Sequence, residues 1–208
     1  MASATYKEDL LVLYGSQKGS AEKAAQDFYL EIEKSLSSDA IEASTGRSDV
    51  MVKPKLVELD DFLSSAGVPW TRLVVIVVSS FGDGHAPANA RAFRKLCDSW
   101  ISQYNDNPDK PKILEGVHFA LCGLGDSDFP TFMKNPIKVE KALTLAGAHM
   151  VGERGIADAF EGVDVQQKLI VEYKKSIWPL LADVVVQEPV PLKRLSEMKG
   201  LTKLPPKN

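Results

Sequence analysis

The chain has 208 residues, 44% of them apolar and 25% charged, with a formal net charge of −3. That length suits one domain with some extra loop or tail, and the composition is that of a globular protein with a packed core. The balance lacks the basic excess of a nucleic-acid binder, and the longest apolar run, Leu73 to Val78, is far short of the ~20 residues of a membrane helix.

Residues 1–8 lack the apolar stretch of a signal peptide. The two cysteines, Cys97 and Cys122, sit in no metal-ligand spacing. They read as reduced, packed thiols, which points to a cytoplasmic protein without metal, membrane segment or nucleic-acid partner.

Five short, partly β-branched runs are predicted as strands: residues 10–14, 55–59, 73–79, 117–123 and 149–152. The third does not alternate, as expected of a strand buried on both faces in the middle of a parallel sheet. Helical patterns are predicted over 21–36, 88–103, 136–146 and 165–183. In the first of them Ala24, Ala25, Phe28, Ile32 and Leu36 fall on one stripe. This alternation predicts an α/β fold of three layers, α/β/α, around a doubly wound five-stranded parallel sheet. Five strands favour the order 2-1-3-4-5 over the six-stranded dinucleotide order. The polar stretch 37–54 is predicted as an irregular loop, and 105–112 as a polar turn with two prolines. Apolar periodicity ends near Val186, so residues 1–186 are expected to form the domain and 187–208, with Pro189, Pro191, Pro205 and Pro206, a linker-like tail.

In such sheets ligands bind at the carboxyl ends of the strands, near the switch in strand order. Three loops leave those ends. Gly15, Ser16, Gln17, Lys18, Gly19, Ser20 and Ala21 form the first, whose small residues let amides and hydroxyls surround an anion at a helix N-terminus. It is neither Gly-x-Gly-x-x-Gly nor a Walker A loop, and the plain reading is a tight turn with Ser20 as N-cap. The second runs Ser79, Ser80, Phe81, Gly82, Asp83, Gly84, His85. There Phe81 either stacks on a flat ligand or tucks into the core. The third comprises Gly123, Leu124, Gly125, Asp126, Ser127, Asp128, Phe129, Pro130, Thr131 and Phe132. Its rings either close on a planar ligand from the other side or fold back on the sheet.

These three loops resemble the FMN loops of flavodoxins, and most of all those of the FMN domains of diflavin reductases. Ala88-Asn89-Ala90, Leu145 to Ala148 and Ile177-Trp178-Pro179 support the match, which spans roughly residues 10–181. The resemblance implies a flavodoxin-like fold and FMN as cofactor. Ser16, Gln17, Lys18, Gly19, Ser20 and Ala21 would hold the FMN phosphate. Ser79, Ser80, Phe81 and Gly82, with Asp83 and Gly84, would meet the isoalloxazine. Leu124, Gly125, Asp126, Ser127, Asp128, Phe129, Phe132 and Met133 would cover its other face and the ribityl chain, and Asp158 would lie near the flavin.

This sequence departs from the family at five positions. Lys18 stands for a threonine, Phe81 and Phe129 for tyrosines, Met133 for an asparagine, and His85 for an acidic residue. The resemblance further implies electron transfer without a catalytic acid, base or nucleophile. Electrons would come from an FAD/NADPH-binding reductase domain outside this chain and leave singly for a haem or metal protein, from a monomeric domain. Two other readings stand beside it: a stand-alone flavodoxin serving a radical or metal enzyme, and a flavodoxin-fold interaction module without FMN. A phosphoacceptor receiver domain is excluded, because Gly15-Ser16 occupies the place of its acidic pair.

Overall fold

The computed structural model describes residues 6–47, 49–64 and 69–187. Its strands are β1 (Tyr6–Gly15), β2 (Val50–Glu58), β3 (Leu73–Ser79), β4 (His118–Gly125), β5 (His149–Met150) and β6 (Gly155–Asp158). Its helices are α1 (Ser20–Ser35), α2 (Ser38–Thr45), α3 (Leu59–Ser64), α4 (Arg91–Asp106), α5 (Lys134–Leu145) and α6 (Val163–Val186). All strand pairs are parallel, in the order β2-β1-β3-β4-β5, with β6 also on β4.

Strand β3 shows why this order holds. Val74, Ile76 and Val78 pack into one apolar cluster with α3, α4 and α5, whereas Leu73, Val75 and Val77 pack into another with α1 and α6. A strand buried on both faces belongs at the centre of a parallel sheet between helical layers. The α1 stripe does as its spacing demands, since Ala24, Ala25, Phe28 and Ile32 are all buried. Cys97 and Cys122 are free and buried, and burial pushes both thiols up, that of Cys122 to about 12. No helix among the described residues is long and apolar enough to cross a membrane.

Four local expectations are corrected. The stretch 37–54 is not an irregular loop: it holds α2 and the start of β2. Helix α2 buries only Ile41, so it has no apolar stripe to betray it. Its ends carry it instead, with Ser37 Oγ accepting the Ala40 N–H and Gly46 closing the helix in the left-handed region. Pro54 is tolerated inside β2 because β2 pairs only with β1 and forms a sheet edge. Residues 59–64, expected to follow a strand ending at 59, form α3. The expected fifth strand, 149–152, is shortened to β5, and an unforeseen strand, β6, follows it. Met150 pairs with Phe119 and the Val151 N–H donates to the Phe119 carbonyl at 2.8 Å, the chain leaves β4 over 152–154, and Gly155 returns to pair with Cys122. Finally, residues 88–90 make a 3-10 turn, and α4 proper begins at Arg91. Helix α6 ends at Val186, and the tail from 188 onward lies outside the described residues.

Candidate functional site

The carboxyl ends of β1, β3 and β4 open into a cleft of about 470 Å³, within the ordinary range of ligand pockets. All three predicted loops line it. Ser16, Gln17, Lys18, Ser20 and Ala21 come from the first, Ser79, Ser80, Phe81 and Gly82 from the second, and Leu124, Gly125, Asp126, Phe129 and Phe132 from the third.

The first loop ends in a helix start without a side-chain cap among the described residues. Gly19, not Ser20, is the N-cap residue, at φ 91°, and no side chain caps the first turn. Lys23 is the first residue whose N–H reaches back one turn, to the Gly19 carbonyl. The amides of Ser20, Ala21 and Glu22 therefore have no intrahelical acceptor, and the helix dipole adds partial positive charge there. The hydroxyls of Ser16 and Ser20 and the exposed ammonium of Lys18 supply further donors. That donor set fits a phosphate monoester. The loop is fixed from behind: Ser16 Oγ accepts the Gly19 N–H at 3.0 Å, Ser16 N–H donates to Asn89 Oδ1 at 2.9 Å, and Gln17 Oε1 accepts the Ala88 N–H at 2.9 Å.

The second loop is a closed turn. Phe81 and His85 exchange backbone hydrogen bonds of 3.0 and 2.8 Å, with Gly82 and Gly84 both at positive φ between them. Phe81 is 42% exposed and Phe129 55% exposed, so neither ring is a core residue. Large apolar rings standing in a cleft mouth offer flat surfaces for stacking. Phe132 behaves differently. It packs on Gly125, where a Cβ would come within 2.9 Å of its ring, and forms part of the cleft wall.

The third loop is held by carboxylates. Asp126 Oδ1 accepts the Asp128 N–H at 3.0 Å, and Asp158 Oδ1 accepts the N–H groups of Ser127 and Phe160 at 2.9 and 3.1 Å. Burial pushes the Asp158 carboxyl up, but hydrogen bonds from Ser127, Phe160 and Ala159 outweigh it and hold the group below the usual aspartate value.

Several expected site residues do not line the cleft: Gly19, Asp83, Gly84, Ser127, Asp128, Met133 and Asp158. Gly19 and Gly84 shape their turns, and Asp158 shapes the third loop through Ser127. Met133 is the clearest displacement. It is buried, with its Cε in the space left by the missing side chain of Gly123, so it turns away from the place expected for a ribityl contact. Thr131, within the expected third loop, also lines the cleft; sequence reasoning missed Ala159, Val163 and Gln166. Gln166 is buried and donates from Nε2 to the Ala157 and Gly125 carbonyls, bracing β6 against β4. A glutamine in the first turn of a helix carries no sequence signal of that role.

A uniform set of similarities accompanies this geometry. A family model for flavodoxins matches residues 12–170. The chain is 31% identical over 164 residues to methionine synthase reductase of Caenorhabditis elegans, covering 79% of this chain and 21% of that protein. It is 33% identical over 170 residues to bifunctional cytochrome P450/NADPH–P450 reductase 1 of Bacillus subtilis, covering 81% of this chain and 13% of that one. To human NADPH–cytochrome P450 reductase it is 28% identical over 175 residues, covering 84% and 22%. The chain thus spans about a fifth or less of the length of these relatives.

Among solved structures, oxidised flavodoxin 1 from Bacillus cereus superposes with a TM-score of 0.51 at 17% identity, covering 83% of this chain and 97% of that one. A flavodoxin of Streptococcus pneumonia gives 0.51 at 19% identity, covering 84% and 99%. At such identities they establish the fold. The chain belongs to the flavodoxin family, whose domains bind FMN and transfer electrons.

Proposed function

We propose that residues 1–186 are the FMN domain of a cytoplasmic diflavin-type reductase and that residues 187–208 link it onward. In this reading the domain is monomeric, accepts electrons from an FAD/NADPH-binding reductase domain, and passes them one at a time to a haem or metal protein. The observation that carries the reading is the joining of two exposed rings, Phe81 and Phe129, and the uncapped start of α1 in one cleft. A stacking pair and an anion seat together describe a planar ring with a phosphate tail. FMN, when bound, supplies the one-electron chemistry; the protein's residues bind it, orient it and keep water from its faces.

Residues toward the phosphate are Ser16, Gln17, Lys18, Ser20 and Ala21. Residues toward the ring are Ser79, Ser80, Phe81, Gly82, Leu124, Gly125, Asp126, Phe129 and Phe132. Asp83, Asp126 and Asp128 stand on loops around the cleft and Asp158 ends β6 beside them, with Asp83 and Asp128 exposed. They make that end more acidic than a net charge of −3 would suggest, and a basic face on the acceptor would be steered to it.

The test is stopped-flow reduction of cytochrome c by the photoreduced, FMN-loaded protein across a salt series. The rate is expected to fall as ionic strength rises. A rate that is flat or rising with salt would rule out an acidic docking face at these loops.

A further inference from the structure

The segment from Thr131 to Asn135, which leads into α5, runs beside the second loop and holds it residue by residue. Thr131 Oγ1 donates to the Gly82 carbonyl at 2.9 Å. Lys134 Nζ reaches the Asp83 carbonyl at 3.5 Å, and the stem of Lys134 lies where a Cβ on Gly84 would be, 2.5 Å from its Cδ. Asn135, only 1% exposed, is hydrogen-bonded at its backbone N–H, its Nδ2 and its Oδ1. Its N–H donates to Ser80 Oγ at 3.0 Å and its Nδ2 to the Ser79 carbonyl at 2.9 Å, while its Oδ1 accepts from Arg94 Nη1 at 2.9 Å. Arg94 is itself paired with Asp98, which also takes Lys138. Met133, between these residues, is the one non-glycine residue at positive φ among the described residues, at 57°. Such a backbone costs free energy and persists only where the surroundings over-determine it.

We propose that Asn135, assisted by Thr131, is the positioning residue of the ring-bearing loop. It holds Ser79 to Gly82 in the shape that presents Phe81 to the cleft, and so sets affinity for the flavin ring although it does not itself line the cleft. The reasoning is geometric. A buried side-chain amide held at both its nitrogen and its oxygen rigidifies what it binds, and here what it binds is the backbone directly before the ring. Only the second readout below rests on FMN as the ligand.

The experiment compares Asn135→Asp, Thr131→Val and Thr131→Ser with the parent chain. Asn135→Asp keeps the acceptor for Arg94 and removes the donor to Ser79; Thr131→Ser keeps the hydroxyl that Thr131→Val removes. The first readout is amide hydrogen exchange in FMN-free protein. Asn135→Asp and Thr131→Val should speed exchange at Phe81 and His85 by about tenfold, the factor that one lost hydrogen bond commands. Exchange at Gly19 and Lys23 should stay unchanged, and Thr131→Ser should behave like the parent. The second readout is affinity for FMN and for riboflavin, which should fall by the same factor because the phosphate seat is untouched. Unchanged exchange at Phe81 and His85, or an even rise across the whole chain with a lower melting temperature, would overturn the proposal. A parent chain that binds no FMN would sink the cofactor reading alone, because exchange still decides the positioning role.

Discussion

The two ends of the sheet treat helix termini in opposite ways. At the amino ends of β1 and β3, Arg72 and Glu8 form an ion pair buried to about 5% exposure on each side, with Nη2 to Oε2 at 2.7 Å. The same guanidinium donates to the carbonyls of Val184, Val185 and Gln187 at 2.9, 3.0 and 3.1 Å. Arg47 donates to the Val186 carbonyl at 3.0 Å. The carbonyls that helix geometry leaves open at the end of α6 are thus met by two cations, which also complement the helix dipole. At the carboxyl end, α1 starts with three open amides and no side-chain cap. A terminus closed by the protein's own charges serves stability; a terminus left open keeps its binding capacity for a ligand. The polar chemistry is similar at both ends, and what differs is whether the chain spends it internally.

The largest expected effect breaks the closed end. Arg72→Met removes the cation beside a buried carboxylate and the donors on the α6 carbonyls, and should cost about 3–5 kcal/mol of stability. Well below its melting temperature the variant should keep parental FMN affinity. Urea unfolding and flavin titration on the same preparation check both halves. Loss of affinity without loss of stability would contradict the division.

Ser20→Asp breaks the open end. It places a carboxylate among the amides that face the phosphate, and should weaken FMN binding by about 2–3 kcal/mol, the scale of a charge-assisted contact. Stability of the FMN-free protein should hold or rise, because an acidic residue suits the first turn of a helix. Thermal melts of FMN-free protein, set beside the titration, separate the two.

The rings sharpen the picture. Phe81→Ala and Phe129→Ala should each weaken FMN binding by about 1–3 kcal/mol, the range for losing an aromatic stack on a planar base. Both rings are substantially exposed, so unfolding midpoints should move little. A drop in stability with unchanged binding would return them to the core.

How much of this was legible in advance followed from where the physics is local. The β3 run announced its central place because six apolar residues in a row have only one comfortable site in an α/β sheet. The first loop's place at the cleft was legible because small residues join a strand directly to a helix at the carboxyl edge of the sheet. Helix α2 was not, since its support is two caps and one buried isoleucine. Nor was β6, a four-residue strand of Gly155, Ile156, Ala157 and Asp158, whose pairing with β4 is set by neighbours far along the chain. Asn135 and Gln166 escaped for a related reason. Their roles lie in hydrogen bonds to backbone carbonyls outside their own helices, and an isolated amide side chain carries no pattern.

The smallest expected effect comes from the amino end again. His118 stacks on His149 at a ring separation of 5.7 Å, and its buried Nδ1 has no hydrogen-bond partner among the described residues. Burial, with the neighbouring imidazole second, lowers its pKa from 6.5. The unfolded chain therefore binds the proton more readily. Stability from this group is fully present above about pH 6.5 and is lost as pH falls toward the folded-state value. His118→Gln should flatten the pH dependence of unfolding on that side of neutrality, which urea midpoints at a series of pH values will show, while FMN affinity stays at the parental value.

The central claim is that the uncapped start of α1 is a seat for the phosphate of FMN, and one titration addresses it directly. Fluorescence quenching of FMN and of riboflavin, measured on the same FMN-free protein, should show FMN bound far more tightly, with Ser20→Asp removing the difference. Equal affinity for the two flavins would contradict the account, because the first loop would then contribute nothing that recognises a phosphate.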